Sequence, residues 1–328
     1  MKRWAVYGVL LSALLAATPL SAQDYAWGDP LNPDEDAWMD PPPSGTPLSE
    51  VREWGFHMTQ YTEHNSGGGP RVIEVKTIGF AQRYVLIAEN DVIVWSPADE
   101  GINYGAWDLQ SRFQDINGDG DDDIVVSLWT GGAHCCISIY ALSLYPEVKK
   151  LGVIDQGHGD PQEFQARDGG GLPYVQHWDG AFAYWMTSFA GSIGEFVRVS
   201  YRDGGFHLDE DLMRDPKLDV VALAKDVLDA VAKSKNPPEG ERPFFIREEL
   251  YLTVAEALNT LVYSGNADRL EEMMLKCWPD DAARAEFLTD YFSQLKTSTY
   301  IDDLNRMNGG ILTPLIDRYA PPNDAEPT

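Results

Sequence analysis

Between Val51 and Leu208 the apolar residues fall into short runs separated by Gly, Asp, Asn and Ser, the pattern of brief strands and hairpins. Val72 to Val75, Tyr84 to Ala88 and Val92 to Trp95 are three such runs, the last two joined at Asn90-Asp91, a pair suited to the left-handed backbone of a tight turn. Ile124 to Leu128, Ile137 to Leu144 and Tyr174 to His177 continue the series, and Asp179-Gly180 and Asp203-Gly204-Gly205 are expected to close further hairpins. Beyond Pro216 the period lengthens. Leu218, Val221, Ala224, Leu228 and Val231 recur at helical spacing, and Pro237-Pro238 with Gly240 ends that helix. A second helix is predicted from Phe245 to Tyr263, with Gly265 placed to cap its C-terminus. A third carries the stripe Leu270, Met273, Met274 and Cys277 and stops before Pro279. A fourth, capped by Asp280, carries Phe287, Leu288, Tyr291, Phe292 and Leu295.

This pattern predicts an α+β multidomain chain: a β-rich domain over residues 51–212 followed by a small α-helical domain over 213–318. The ends differ. Lys2 and Arg3, the apolar run Val6 to Ala17 and the imperfect small-residue cleavage site Leu20-Ser21-Ala22 form an expected signal peptide over 1–22, which implies a periplasmic or secreted protein. Residues 23–50 are rich in Pro and Asp, with Pro41-Pro42-Pro43, and are expected to form an extended arm. Residues 319–328 are expected to be a disordered tail. No segment after the leader is long and apolar enough for a membrane span.

The chain of 328 residues has 25 basic and 52 acidic residues, a net charge of −27. Such a field repels nucleic acid and anionic lipid. Most acidic residues are spread along the chain, which is a solubility feature; the exception is the cluster from 115 to 123. There Asp115, Asn117, Asp119 and Asp123 place side-chain oxygens at loop positions 1, 3, 5 and 9, with Gly120 at 6 and the Asp121 carbonyl as a backbone donor. Calcium takes six to eight hard oxygen ligands, and alternate residues of a tight loop can point inward where glycine allows the bend. Asp122 is expected to face solvent. Position 12 is Val126, inside a predicted strand, so the loop is not an EF-hand.

Phe113 to Gly120 lines up with Phe164 to Gly171 at a spacing of 51 residues, and His64 to Gly69 falls at a similar interval upstream. Each stretch is followed by a predicted strand, and repeats of this length mark propeller blades and related arrays. In the later loop Ala166, Gly170 and Tyr174 stand where ligands would be and only Asp168 remains, so one calcium ion per chain is expected.

The string Asp-x-Asn-x-Asp-Gly-x-x-Asp with its following Ile-Val-Val strand resembles the calcium loops of FG-GAP and VCBS repeats, the blades of integrin-type β-propellers. With Gly131-Gly132-Ala133-His134-Cys135-Cys136 it also resembles a group of exported bacterial proteins that pair such a loop with this segment. The resemblance runs through about the middle third of the chain, as far as Phe182 to Trp185, Ser188 to Ala190 and the Asp203 turn. It implies a VCBS-like fold, a partial or small propeller, and brings no activity with it.

Three cysteines in an oxidising compartment allow one disulfide. Neighbouring strand residues point to opposite faces, so a bridge from Cys135 or Cys136 to Cys277 is sterically the easier one, while the sequence leaves the choice open. His134, Cys135 and Cys136, completed by His158 or His177, form a candidate soft-metal or redox site, set against a structural role for the cysteines. Trp178, Phe182, Tyr184 and Trp185 straddle Asp179-Gly180, and their alternation with alanines fits a half-buried strand or a rim that stacks on sugars or peptides. No nucleophile elbow, phosphate loop, zinc-protease helix or dinucleotide motif is present. The expectation is a non-catalytic exported module with one structural Ca2+ and a protein or glycan partner. The alternative is an envelope-polymer hydrolase or a metal or redox protein using the His134 region.

Overall fold

The computed structural model describes residues 40–51, 58–64, 71–79, 83–110, 114–132, 136–278 and 282–320. The expected signal peptide, the start of the arm, the upstream repeat at 65–69, the Asp280 cap and most of the expected tail lie outside them. Eleven strands come first: β1 (Met58–His64), β2 (Arg71–Gly79), β3 (Arg83–Glu89), β4 (Val92–Trp95), β5 (Ala106–Leu109), β6 (Asp123–Trp129), β7 (Ile137–Ser143), β8 (Lys149–Gly157), β9 (Tyr174–Asp179), β10 (Glu195–Arg202) and β11 (Gly205–Leu208). Among the described residues seven α-helices follow: α1 (Glu210–Met213), α2 (Val220–Lys235), α3 (Pro243–Tyr263), α4 (Leu270–Cys277), α5 (Ala282–Leu295), α6 (Ile301–Met307) and α7 (Leu312–Tyr319). Among the described residues no helix is long and apolar enough to cross a membrane.

The first eight strands form one sheet in the order β1-β2-β3-β5-β6-β7-β8, with β4 paired to β3, and the last three form a second sheet, β11-β10-β9. Neighbours are antiparallel except β3 and β5, which touch in parallel at Arg83 and Ala106. The Asn90-Asp91 turn forms as the sequence predicts, with φ of 51° and 62°, and so does Asp203-Gly204, with φ of 52° and 82°.

β6 and β7 are covered on both faces, which accounts for their nearly unbroken apolar sequences. Ile124, Val126 and Leu128 point with Tyr140 and Leu142 into a core shared with β2 to β5. Val125, Ile139 and Ala141 point the other way, into a core that also contains β8 to β11 and the helices. That second core runs without a break from Val125 through Val197 to Leu258 and Phe292, and the described residues from Asp40 onward form one compact unit. The helices therefore build on the small sheet, and packing is continuous across residue 213. The end of the expected arm is likewise tied down. Gly45 N–H donates to Ile93 O (2.8 Å), Ile93 N–H to Thr46 O (2.9 Å) and Leu48 N–H to Asp91 O (2.8 Å), so this piece lies along β4.

The predicted stripes on α4 and α5 are buried: Leu270, Met273, Met274 and Cys277, and Phe287, Leu288, Tyr291, Phe292 and Leu295. The stripe expected on α2 is not: of Leu218, Val221, Ala224, Leu228 and Val231 only Val231 is buried, Val221 and Leu228 are exposed, and Val227 packs inward instead, because the helix lies on the outside of the bundle and buries a narrower face. α3 ends in a Schellman motif, Gly265 N–H donating to Val262 O (3.3 Å) and Asn266 N–H to Leu261 O (2.8 Å), with Gly265 at φ +75°.

The expected hairpin at Asp179-Gly180 does not form. Asp179 Oδ1 accepts from Ala181 N–H (3.0 Å) and starts a 3-10 turn over Gly180–Phe182, and β9 instead pairs with β10 across a longer connection. Nor are Phe182 and Tyr184 in a strand. Tyr184 and Met186 have φ of 60° and 61°, and these reversals send Phe182 and Trp185 into the helical core, with ring centroids 5.4 Å from Tyr291 and 6.4 Å from Tyr251, while Tyr184 stays outside. Burial of two large rings outweighs the local cost of left-handed backbone.

Candidate metal centre

The loop before β6 is closed by an isolated antiparallel bridge. Gln114 N–H donates to Asp123 O (3.3 Å) and Asp123 N–H to Gln114 O (3.0 Å). Ile116, fully buried, anchors the near side of the loop in the core. Gly118 and Gly120, at φ +84° and +93°, make the reversals that side-chain-bearing residues resist. Asp115 Oδ1 accepts from Gly118 N–H (2.6 Å) and Oδ2 from Gly120 N–H (3.0 Å). Asn117 Oδ1 accepts from Asp119 N–H (2.8 Å), and Asp119 Oδ1 from Asp121 N–H (2.9 Å). Asn117 Nδ2 donates to Asp119 Oδ2 (2.9 Å). Asp122 is exposed, as expected.

Asp123 is different. Its side chain is fully buried; Oδ2 accepts from Ile116 N–H (2.8 Å) and Asn117 N–H (3.3 Å), but Oδ1 is buried with no hydrogen-bond partner. A buried acceptor left unpaired is costly, and a charged one more so. Burial is the main force pushing the Asp123 carboxyl up to about 7; the Ile116 and Asn117 amides oppose it, and the carboxylates of Asp119 and Asp115 add to it.

Among the described residues no group of three His, Cys, Asp or Glu side chains converges as a ready metal cluster. Asp115, Asn117 and Asp119 instead accept from the loop's own amides. The donor set nevertheless fits one hard cation, because every group is an oxygen, the spacing alternates, and the orphaned Asp123 Oδ1 has no other satisfaction.

The 51-residue repeat is visible in the backbone. Gln165 and Tyr174 form the same isolated bridge as Gln114 and Asp123, with N···O distances of 2.7 and 3.0 Å. Gly169 and Gly171, at φ +85° and +108°, match Gly118 and Gly120. The two loops touch: a Cβ on Gly118 would lie 3.0 Å from Leu172 Cδ2, and Gln114 Nε2 donates to Phe164 O (3.4 Å). The later loop closes without acidic side chains. Arg167 lies across Gly171 and donates to Asp209 Oδ1 (2.6 Å).

His134 and Cys135 lie outside the described residues. Cys136 is disulfide-bonded and Cys277 is a free thiol, so the bridge to Cys277 that looked sterically easier is not made. The reason is placement: Cys277 is buried on α4 with its Sγ 3.4 Å from Ala224 O of α2, and burial raises its thiol pKa. It belongs to no soft-metal set with Cys136. His158 and His177 do line one cavity, at the end of β8 and β9. His177 is already committed there. Its Nδ1 is 3.1 Å from Trp178 O and its Nε2 2.7 Å from Tyr300 Oη; the carbonyl can only accept, so Nδ1 carries the proton and Tyr300 donates to Nε2. Burial lowers the His177 pKa, which favours the neutral ring.

Sequence reasoning missed Asp179 as a junction. Its Oδ2 accepts from Tyr263 Oη–H (2.8 Å) and Ser298 Oγ–H (2.6 Å), joining β9 to the end of α3 and to the segment after α5. No local signal marks such a residue, because its partners are 84 and 119 positions away. Compared with known proteins, the chain matches no family model, no curated protein and no solved structure.

Proposed function

We propose that the chain is a non-catalytic exported module in which the loop Asp115 to Asp123 holds one structural Ca2+, within a VCBS-like β-repeat that serves a binding or scaffold role in the cell envelope. The observation that carries the reading is the buried Asp123 Oδ1 with no partner, beside Asp115 and Asp119. A divalent cation there would take the side-chain oxygens of Asp115, Asn117, Asp119 and Asp123 with the Asp121 carbonyl, and would neutralise charge that the fold otherwise concentrates. The sister loop, with Ala166, Gly170 and Tyr174 at the equivalent positions, would take none. The disulfide at Cys136 fits an oxidising compartment. An envelope-polymer hydrolase has less support, since His177, the most buried histidine among the described residues, has both ring nitrogens occupied.

Calorimetric titration of the chelator-treated mature chain should give one strong calcium site, and the melting temperature should rise with calcium by mass action. Two strong sites, or the same melting temperature in calcium and in chelator, would overturn the reading.

A further inference from the structure

A second polar feature stands apart from the calcium loop. It is a cavity of about 330 Å3 between the ends of β8 and β9 and the segment joining α5 to α6. That volume is at the small end of the roughly 300–1,000 Å3 of small-molecule sites, so it suits a single ring. Its wall combines Asp155, Gln156 and Tyr300 with the rings of His158 and Trp178.

The polar groups have defined spare capacity. Gln156, 2% exposed, accepts from Gln162 N–H at its Oε1 (3.1 Å), which fixes the amide orientation and leaves Nε2 buried with no acceptor. Tyr300 spends its proton on His177, so its oxygen is left as an acceptor. Asp155 is exposed, with Oδ1 accepting from Gly157 N–H (2.9 Å). Asp179, although it lines the cavity, is saturated by three donors. Among the described lining residues there is no lysine or arginine, so an anion finds no partner.

The mouth is aromatic. His158 lies 5.7 Å from Trp178, 4.8 Å from Phe189 and 6.4 Å from Tyr184 between ring centroids. His158 and Trp178 close over Gly180, where an added Cβ would sit 3.3 and 3.4 Å from them. Tyr184 is 54% exposed, yet it is held in left-handed backbone at φ 60° with its N–H donating to Ser192 Oγ (2.8 Å).

We infer that this cavity binds a neutral sugar ring, with hydroxyls donating to Tyr300 and Asp155, the buried Gln156 Nε2 turning toward the cavity to donate to a hydroxyl or acetamido oxygen, and the apolar ring face lying on the His158, Trp178 and Tyr184 rim. Neutral donors and acceptors on one side and ring faces on the other match a polyhydroxylated ring, whose edge is polar and whose face is carbon and hydrogen. The inference does not depend on the calcium reading.

The test uses the full mature chain in excess calcium, titrated with glucose and N-acetylglucosamine, and with glucuronate and glucosamine as charged controls, by saturation-transfer NMR and calorimetry. Saturable binding of at least one neutral sugar is expected, with no detectable binding of glucuronate. Tyr184→Ala, at an exposed ring, should weaken that binding about tenfold, the effect of losing roughly 1.4 kcal/mol of stacking. Thr299→Trp, which fills the cavity from its exposed edge, should abolish it while leaving the circular dichroism spectrum unchanged. The inference is overturned if neither neutral sugar binds, if glucosamine alone binds, or if both variants bind as the wild type does.

Discussion

Replacing Asp123 by Asn should change the protein in opposite directions with and without calcium. The asparagine carbonyl can keep the two amides that Asp123 Oδ2 now accepts from, Ile116 and Asn117, and its nitrogen would stand where Oδ1 is buried without a partner. In metal-free protein the folded carboxyl is pushed up to about 7, mainly by burial. An unperturbed Asp titrates near 3.9, so the gap is roughly three units, or about 4 kcal/mol at a pH above both values. Between about pH 4 and 7 the unfolded carboxyl has lost its proton while the folded one retains it. Metal-free stability therefore falls as pH rises through that window, and the contribution fully present below pH 4 is gone above 7. An amide has no charge to desolvate. At pH 8 in chelator Asp123→Asn should be more stable than wild type by about 2 kcal/mol, the rest being lost to incomplete pairing of the new N–H groups. For a unit of this size that corresponds to roughly 4 °C in melting temperature. In calcium at a hundredfold excess over Kd the wild type should gain about 2.7 kcal/mol and the variant almost nothing, so the order inverts. Thermal melts of both proteins in chelator and in calcium read all four values. A variant less stable than wild type in chelator, with an equal calcium response in both, would refute the argument.

Three other outcomes can be checked on the same protein. Asp179→Ala leaves the buried Tyr263 and Ser298 hydroxyls without their acceptor and should cost about 3–5 kcal/mol in urea unfolding, against about 1–2 kcal/mol for Tyr263→Phe; equal costs would mean that the junction is not where stability resides. Burial lowers the His177 pKa, so the folded state binds fewer protons than the unfolded one and stability is lost as pH falls below about 6.5; in calcium, the stability difference between wild type and His177→Gln should shrink or reverse toward pH 5, and a constant difference would contradict it. Denatured, unreduced protein should show one reactive thiol, Cys277, rising to three after reduction, and two or more before reduction would rule out the disulfide at Cys136.

Features set by neighbours in sequence were legible, and those set by distant neighbours were not. Asn90-Asp91 and Asp203-Gly204 could be read because positive φ is a local demand with few residues to meet it. The α4 stripe could be read because four buried residues in one short helix leave little ambiguity. Asp179-Gly180 has the same turn chemistry, yet it forms a 3-10 cap, because Tyr263 and Ser298 hold the Asp179 carboxylate from across the core. The alternation from Ala181 to Tyr184 fits a strand equally well until Phe182 and Trp185 find Tyr291 and Tyr251 on helices far along the chain. α6 and α7 were not predicted: each is short, and Gly309-Gly310 between them reads as a loop, although Leu304, Met307, Leu312, Leu315 and Ile316 are all buried. The candidate metal loop lies within nine consecutive residues, so its proposed ligands could all be named from the sequence. The cavity draws on β8, β9 and the α5 to α6 segment and had no sequence signature beyond its aromatics.

The paired loops indicate how a repeat can keep its backbone while its chemistry diverges. What persists between Gln114-Asp123 and Gln165-Tyr174 is the bridge and the glycines, the parts that fix where the next strand begins. What differs is how each loop interior is stabilised. The first concentrates Asp115, Asp119 and Asp123 around a buried oxygen with no protein partner. In the second, Arg167 covers Gly171 and reaches Asp209 in front of α1. Leu172 then rests on Gly118, so the self-sufficient loop buttresses the one that lacks a partner. A cation bound in the first loop would thus act on a frame already fixed at both ends and along one side. Its effect would fall on the charge of Asp123 more than on the path of the chain, which is why stability and not fold is the quantity expected to depend on calcium.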